Sequence, residues 1–245
     1  MSTYLWINIL TISVPLIATF DRRLKFHHRW YALWPSITLT GLFFILWDIY
    51  FTGLNVWSFN PEHLIGVTIF NLPLEEWLFF VTIPYAIVFT YDALRKYVKL
   101  NLNQTLINNV TIILALILFT IAIMNLEKIY TSVTFILTAI FLLMQVYIMG
   151  SKFLGHFYLS YIIIFMFPFL IVNGILTGSF VNEPVVLYNN AENLSLRIFT
   201  IPIEDFIYGM LLYLMNVSIY EKIIELWDPV NNRVQLNQQQ AYLNL

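Results

Sequence analysis

Two short stretches carry residues that could do acid–base chemistry: Asn71-Leu-Pro-Leu-Glu-Glu76 and its near copy Thr200-Ile-Pro-Ile-Glu-Asp205. Each sets two adjacent carboxylates at the mouth of an otherwise apolar span. An acidic side chain within a membrane segment is costly, so it normally faces a protein interior or cavity and marks a function. The alternative is ordinary helix-start chemistry, since a proline at the first helical position needs no N–H partner and acids in the first turn suit the dipole. Duplication favours function. Pro73, Glu75 and Glu76 recur as Pro202, Glu204 and Asp205 at an offset of 129, and Tyr91-Asp92 recurs as Tyr220-Glu221 at the same offset.

Neighbouring helical side chains diverge by about 100°, so Glu75 and Glu76 cannot serve one atom together. The expected working pair is Glu75 with Glu204, or one of these with Asp48, brought together across the repeat interface, with Glu75 or Glu204 as the acid. Asp48 is matched by Asn173 at an offset of 125, and a pocket with unequal groups could separate acid from base. A carboxyl among apolar rings and beside another carboxylate favours its neutral, proton-donating form. Trp47, Trp77, Phe79, Phe80 and Phe206 supply such rings. Ring faces would also favour a cationic intermediate, and exclusion of water would keep that cation from being quenched. Packing against lipid or at the membrane interface is the plainer role for these aromatics. Trp47, Trp77, Asn173 and Phe206 are expected to contact substrate.

Of the 245 residues, 60% are hydrophobic, 18% aromatic and 11% charged, the last well below the roughly 25% charge of soluble domains. Mean hydropathy is +0.76, and a polytopic membrane protein is the expected class. A net charge of −2 and the lack of a basic, aromatic-interleaved stripe exclude a nucleic-acid partner. Without cysteine there is no disulfide, thiolate nucleophile or cysteine metal site. His27 and His28 lie in a basic loop, and Glu62-His63 and His156 lack a partner at metal-ligand spacing, so no metal is expected. No nucleotide-binding glycine loop or aspartate-rich diphosphate motif occurs, so no cofactor is expected either.

Seven apolar spans of roughly 17 to 22 residues, the length that crosses about 30 Å of hydrocarbon, run over 4–20, 30–50, 72–91, 106–124, 133–149, 156–176 and 202–219. The first has no basic region before it and no cleavage site after it, so a retained helix is expected rather than a signal peptide. Basic residues gather on the 21–29, 95–99, 152 and 222–233 connections against only Lys128 and Arg197 opposite, which predicts an outside N-terminus and a cytoplasmic C-terminus. Spans 1–3 match spans 5–7, so the predicted fold is all-α, seven transmembrane helices in a 3+1+3 parallel repeat. The expected units are 1–98, the first three-helix repeat; 99–130, the linking helix; 131–226, the second repeat; and 227–245, a polar cytoplasmic tail. Leu64–Phe70 is apolar but too short to span, and is expected to re-enter the membrane.

The motifs Leu72-Pro-Leu-Glu-Glu76 and Ile201-Pro-Ile-Glu-Asp205, in two same-orientation halves preceded by His63-Leu-Ile-Gly66, resemble the Pro-x-Glu-Glu/Asp motifs of the membrane-integral lycopene cyclases. The resemblance is to the fused form and covers residues 1 to about 226. It implies flavin-independent cyclisation of the acyclic ψ ends of lycopene, giving β rings by way of γ-carotene and β-carotene, with roles for Glu75, Glu76, Glu204 and Asp205. It also implies a carotenoid substrate drawn from the bilayer, with other carotenoid enzymes as further partners, and an address in the cell membrane. Unlike fused fungal relatives, these residues are expected to hold no phytoene-synthase domain. A 3+1+3 solute carrier with proton-coupling carboxylates is the rival reading, although its polar path would want more Asn, Ser and Gln in the spans. A retinal protein would need a lysine inside the last span, and Lys222 lies past its end.

Overall fold

The computed structural model describes residues 2–227; the expected polar tail beyond Trp227 lies outside the described residues. Among the described residues there are eight α-helices: α1 Thr3–Ala18, α2 Trp30–Gly53, α3 Leu74–Tyr97, α4 Gln104–Ile123, α5 Ile129–Met144 prolonged by a π turn Gln145–Met149, α6 Leu154–Met166, α7 Pro168–Thr177 and α8 Ile203–Trp227. Four helical stretches, Phe26–Gly53, Leu74–Tyr97, Gln104–Ile123 and Ile129–Met149, are long and apolar enough to cross a membrane, and α6 with α7 makes a fifth if the bent pair is one span. α1 is apolar but only 16 residues long. The starts are set locally. Ser2 caps α1 by accepting from the Leu5 amide at 3.1 Å, and Asn103 caps α4 by accepting from Thr105 at 2.9 Å, each satisfying a donor that the first turn leaves free.

The structure departs from the sequence reading in two places. The expected single span 156–176 is broken between Phe167 and Pro168, where α6 and α7 meet at 48°. Proline lacks the N–H and its ring clashes with the preceding turn, so α6 must stop and α7 begins with Pro168 in its first turn. The fold is also not purely helical. Three two-stranded antiparallel ladders pair β1 Trp57–Phe59 with β4 Val186–Tyr188, β2 Thr68–Ile69 with β3 Leu72–Pro73, and β5 Arg197–Ile198 with β6 Ile201–Pro202. Leu64–Phe70 runs into β2 and its hairpin, whose first turn residue Phe70 takes φ +56°, the left-handed geometry that a two-residue hairpin loop requires.

The paired hairpins deliver the acidic motifs. In each, a buried proline, Pro73 or Pro202, ends the second strand, and the helix bearing the carboxylates starts at once, α3 at Leu74 and α8 at Ile203. Phe199 repeats the φ of Phe70 at the matching turn position. Two cross-links then join the halves. At one end β1 and β4 pair Trp57 with Tyr188, Ser58 with Leu187 and Phe59 with Val186; since 58 and 187 differ by the repeat offset of 129, equivalent strands pair with each other. At the other end the matched dipeptides of α3 and α8 bond reciprocally, Tyr91 Oη donating to Glu221 at 2.7 Å and Tyr220 Oη to Asp92 at 2.9 Å. Arg29 pairs with Asp92 and Arg95 with Glu221. Between the cross-links α2 packs on α8 and α3 on α6, with Tyr85, Phe157 and Tyr213 fully buried in the seam.

Asp92 is buried while Arg29 stays partly exposed, so removing the carboxylate strands one cation and one phenol. Asp92→Asn is expected to lower stability by about 1.5–3 kcal/mol, the range for hydrogen bonds to charged groups, read as an earlier thermal transition of the detergent-solubilised protein. An unchanged transition would deny the cross-link any holding role.

Candidate active site

The two acids of each motif face different ways, as their divergence on a helix requires. Glu75 turns to its own half. Its Oε1 accepts from Ser2 Oγ and from the Ile65 amide, both at 2.7 Å, and its carbonyl accepts from Asn8 at 3.0 Å. Glu204 repeats the pattern, with Oε1 accepting from Thr131 Oγ1 at 2.6 Å and from the Leu194 amide at 2.7 Å. These partners are offset by 129, like the acids they hold. Each carboxylate therefore ties the start of one helix, α1 or α5, to the loop before the hairpin, and neither lines the cavity described below. Both are fully buried.

Glu76 and Asp205 point to the interface between the halves, and there the repeat is broken. Asp205 accepts three hydrogen bonds, from Tyr130 Oη at 2.7 Å, Asn173 Nδ2 at 2.7 Å and Tyr188 Oη at 2.9 Å. Glu76 accepts from Tyr4 Oη and faces the carboxyl of Asp48, which also lies against Trp57. Asp48 Oδ2 has no hydrogen-bond partner among the described residues. Where one half offers an amide donor, Asn173, the other offers a second acid, Asp48. The result is one carboxylate surrounded by donors, and one pair of carboxyls that must share whatever proton is present.

These three acids close one end of a cavity of about 460 Å³. Its walls are single helical faces: Glu76, Phe79, Ile83, Ala86, Ile87 and Thr90 of α3 recur every three or four residues, as do Asp205, Tyr208, Gly209, Leu212 and Tyr213 of α8. From Glu76 to Thr90 the α3 face runs about 21 Å at helical rise. Trp57 and Phe59 of β1 with Val186 and Tyr188 of β4 form the roof. Leu10 and Val14 of α1, 65% and 73% exposed, and Ile171 of α7, 57% exposed, belong to both wall and outer surface. The cavity therefore opens sideways onto the apolar flank, between α1 and α7. Gly209 lets Phe165 close over α8, because a Cβ there would lie 2.7 Å from the ring.

Of the residues singled out in the sequence, Asp48, Glu76, Asp205 and Asn173 meet in the cavity, whereas Glu75 and Glu204 do not meet each other or it. Trp47 stands one layer behind, stacked on Phe44 at 5.5 Å and edge-on to Tyr208 at 5.2 Å. Trp77 stacks on Phe70 at 6.2 Å and Phe206 packs on Phe169 at 4.9 Å, both outside the lining. Sequence reasoning missed the tyrosines, Tyr4, Tyr130, Tyr188 and Tyr208. The available signal was that Tyr4 and Tyr130 open the two matched helices packed against the acidic ones. Among the described residues no group of three His, Asp or Glu side chains is arranged to hold a metal ion.

An α-helical membrane protein with a carboxyl-tipped, aromatic-walled cavity between two half-structures is the class this architecture defines. The sequence profile of the family described as lycopene cyclase matches residues 1–94 and 127–223, and the chain belongs to that family. Curated relatives are similar over short stretches. A bifunctional lycopene cyclase/phytoene synthase of Colletotrichum graminicola is 34% identical over 65 residues, 26% of this chain. Proteins of the same description from Leptosphaeria maculans and Podospora anserina are 37% and 33% identical over 60 residues, 24% of this chain. Each match spans a tenth of the relative's own length. No solved structure matches the chain.

The bonds at Glu75 and Glu204 are those of a fastening. Glu75→Gln and Glu204→Gln keep the shape but turn charge-assisted bonds into neutral ones, which should cost about 1–2 kcal/mol each. Thermal unfolding in detergent would show it as an earlier transition for each variant. Two variants as stable as the parent would sink this assignment.

Proposed function

We propose that the chain is a lycopene cyclase acting on the ψ ends of lycopene or a related acyclic carotenoid, and that Asp48, Glu76 and Asp205 carry the chemistry. The observation that carries the reading is the convergence of these three acids at the tip of an apolar cavity in a member of this family. Two carboxyls that face each other away from water cannot both ionise readily, so Asp48 and Glu76 hold one proton between them. That proton passes to the terminal double bond of the polyene. The neighbouring double bond attacks the resulting cation and closes the ring. Asp205 accepts three hydrogen bonds, which favour its anionic form; it steadies the cation and then takes the departing proton. The rings of Trp57, Tyr130 and Tyr188 face the same space and add cation–π attraction. Reactant and product are isomers, so no electron acceptor or donor enters the balance. The sideways opening suits a long hydrocarbon arriving from the bilayer, whether released there by another carotenoid enzyme or already dissolved in lipid.

The acid is thereby reassigned from the first carboxylate of each motif to the second. Expressed in cells that accumulate lycopene, the parent chain should turn red pigment to yellow-orange, and chromatography should find γ-carotene and β-carotene if the rings are β. Glu76→Gln and Asp205→Asn should each lower ring formation by roughly 10²–10⁴-fold, the range for general acid–base groups, at normal protein levels. Unchanged pigment from the parent chain would sink the cyclase reading, and full activity in both variants would sink the assignment.

We further propose seven passes, α1, α2, α3, α4, α5, the bent α6–α7 pair and α8, as a 3+1+3 parallel repeat in the cell membrane with the N-terminus outside. The matched hairpins, the pairing of equivalent strands and the two separate stretches of family similarity support it, as does the basic bias of alternate connections. Reporters fused after Met149 and at the C-terminus should read cytoplasm, and one near Asn190 should read outside; a cytoplasmic signal at Asn190 would overturn the arrangement.

A further inference from the structure

Acids alone do not make a ring. Closure joins the first carbon of a ψ end to the sixth, so an extended polyene must fold back on itself while its cation lasts. One helical turn beyond the acids, the cavity walls carry phenyl rings. Phe79 stands three residues past Glu76 on α3; Gly209 stands four past Asp205 on α8 and has the ring of Phe165 from α6 resting on it. The repeat makes Gly209 the counterpart of Phe80 at the offset of 129. Phe80 packs on Phe44 of its own half at 6.1 Å and lies outside the cavity lining. The missing side chain at Gly209 instead leaves a space that Phe165 fills, its Cζ 2.7 Å from where a Cβ would stand. Phe165 is braced as well as seated. It stacks on Tyr161 at 4.0 Å and on Phe169 at 4.2 Å, across the break between α6 and α7, and Tyr161 Oη donates to the Phe206 carbonyl of α8 at 2.9 Å. Both ring faces are taken, so Phe165 offers the cavity an edge and acts on a substrate by shape.

We propose that Phe165, seated on Gly209, is the specificity-determining residue that folds the end of the polyene for ring closure, an inference that rests on the cyclase reading above. From Asp205 to Gly209 α8 rises about 6 Å. An extended chain advances about 1.2 Å per bond, so the six carbons that become the ring span about 6 Å between nuclei. With its terminal methyl groups the extended end is longer than the chamber between the acids and the Phe165 edge; the folded end, shorter and broader, fits. Protonation then finds the first and sixth carbons already close. The bond between them forms, the charge moves to the fifth carbon, and a proton leaves to Asp205. Without the stop the cation meets no partner carbon. It returns a proton to Asp205 and becomes an acyclic polyene again, or it takes up water, whose oxygen bonds to the cationic carbon while one water proton goes to Asp205.

The test uses the full chain in liposomes, equilibrated in deuterated buffer and given lycopene, with products separated by chromatography and identified by mass. Protonation events are the sum of rings, acyclic polyene that has gained deuterium, and alcohol one water heavier. In the parent protein nearly every event should end in a ring. Phe165→Leu opens the chamber without touching an acid. Its events per protein should stay close to the parent's, while the share that ends in rings falls by about tenfold or more. Gly209→Ala puts a methyl group where the ring rests and should lower the share too; combined with Phe165→Leu it should cost nothing further, because the clash is gone. Gly209→Ala also answers by itself should Phe165→Leu fail to accumulate. A parent-like ring share in either single variant overturns the proposal. So does an equal fall in events and rings, which would make Phe165 merely structural. Failure of the parent protein to form any ring overturns the cyclase reading itself and is distinct from these outcomes.

Discussion

A carboxyl in an apolar interior must find donors, a partner or a proton, and that constraint organises this molecule. Five buried acids, Asp48, Glu75, Glu76, Glu204 and Asp205, sit near one end of the helices, and they answer the constraint in three ways. Glu75 and Glu204 draw a hydroxyl from a neighbouring helix and an amide from the preceding loop, which makes them fasteners. Asp205 collects three donors from three elements, α5, α7 and β4. Asp48 and Glu76 have only Tyr4, Trp57 and each other. The hairpins, the roof strands and the helix starts are arranged around these demands.

Repetition and its breaking then do separate work. The repeat supplies two alike helices, each entered through a hairpin that ends in proline. A perfectly repeated site would be electrostatically even and could not tell donor from acceptor. The exchange of Asp48 for Asn173 breaks that evenness at one position. An amide donates a hydrogen bond to Asp205 where the other half sets a second carboxyl beside Glu76, so two alike frameworks present unlike groups to one cavity.

Much of this was legible in the sequence and some was not, for reasons that can be named. Helix-length apolar runs located most of the helices, and the offset of 129 exposed the doubled motif. The Asp48–Asn173 inequality was visible once the halves were aligned. Which acid of each pair faces inward was not legible, because α3 and α8 are apolar on several sides and periodicity gives no orientation when a helix is surrounded by protein and lipid. Trp57–Phe59 and Val186–Tyr188 are too short to register as strands, and their partners lie far away in the chain. The tyrosines of the cavity were hidden by abundance, since 15 occur and interface belts account for many. Pro168 was in plain view inside a span, where lipid-embedded helices tolerate proline often enough to mask the break.

The pairing of β1 with β4 also bears on how the molecule is made. Its two strands are separated by well over a hundred residues, as are the tyrosine–carboxylate bonds at the far end. Contacts so distant in sequence form late, because a long loop must close before they yield anything. Helices of a membrane chain first insert and later associate, so each half can settle in the bilayer with its fastening glutamate already bonded. The roof, the cavity and the encounter of Asp48 and Glu76 with Asp205 exist only after the halves dock. Assembly is thus the last step in building the site: an emerging chain carries every acid of it, yet holds no chamber in which they meet.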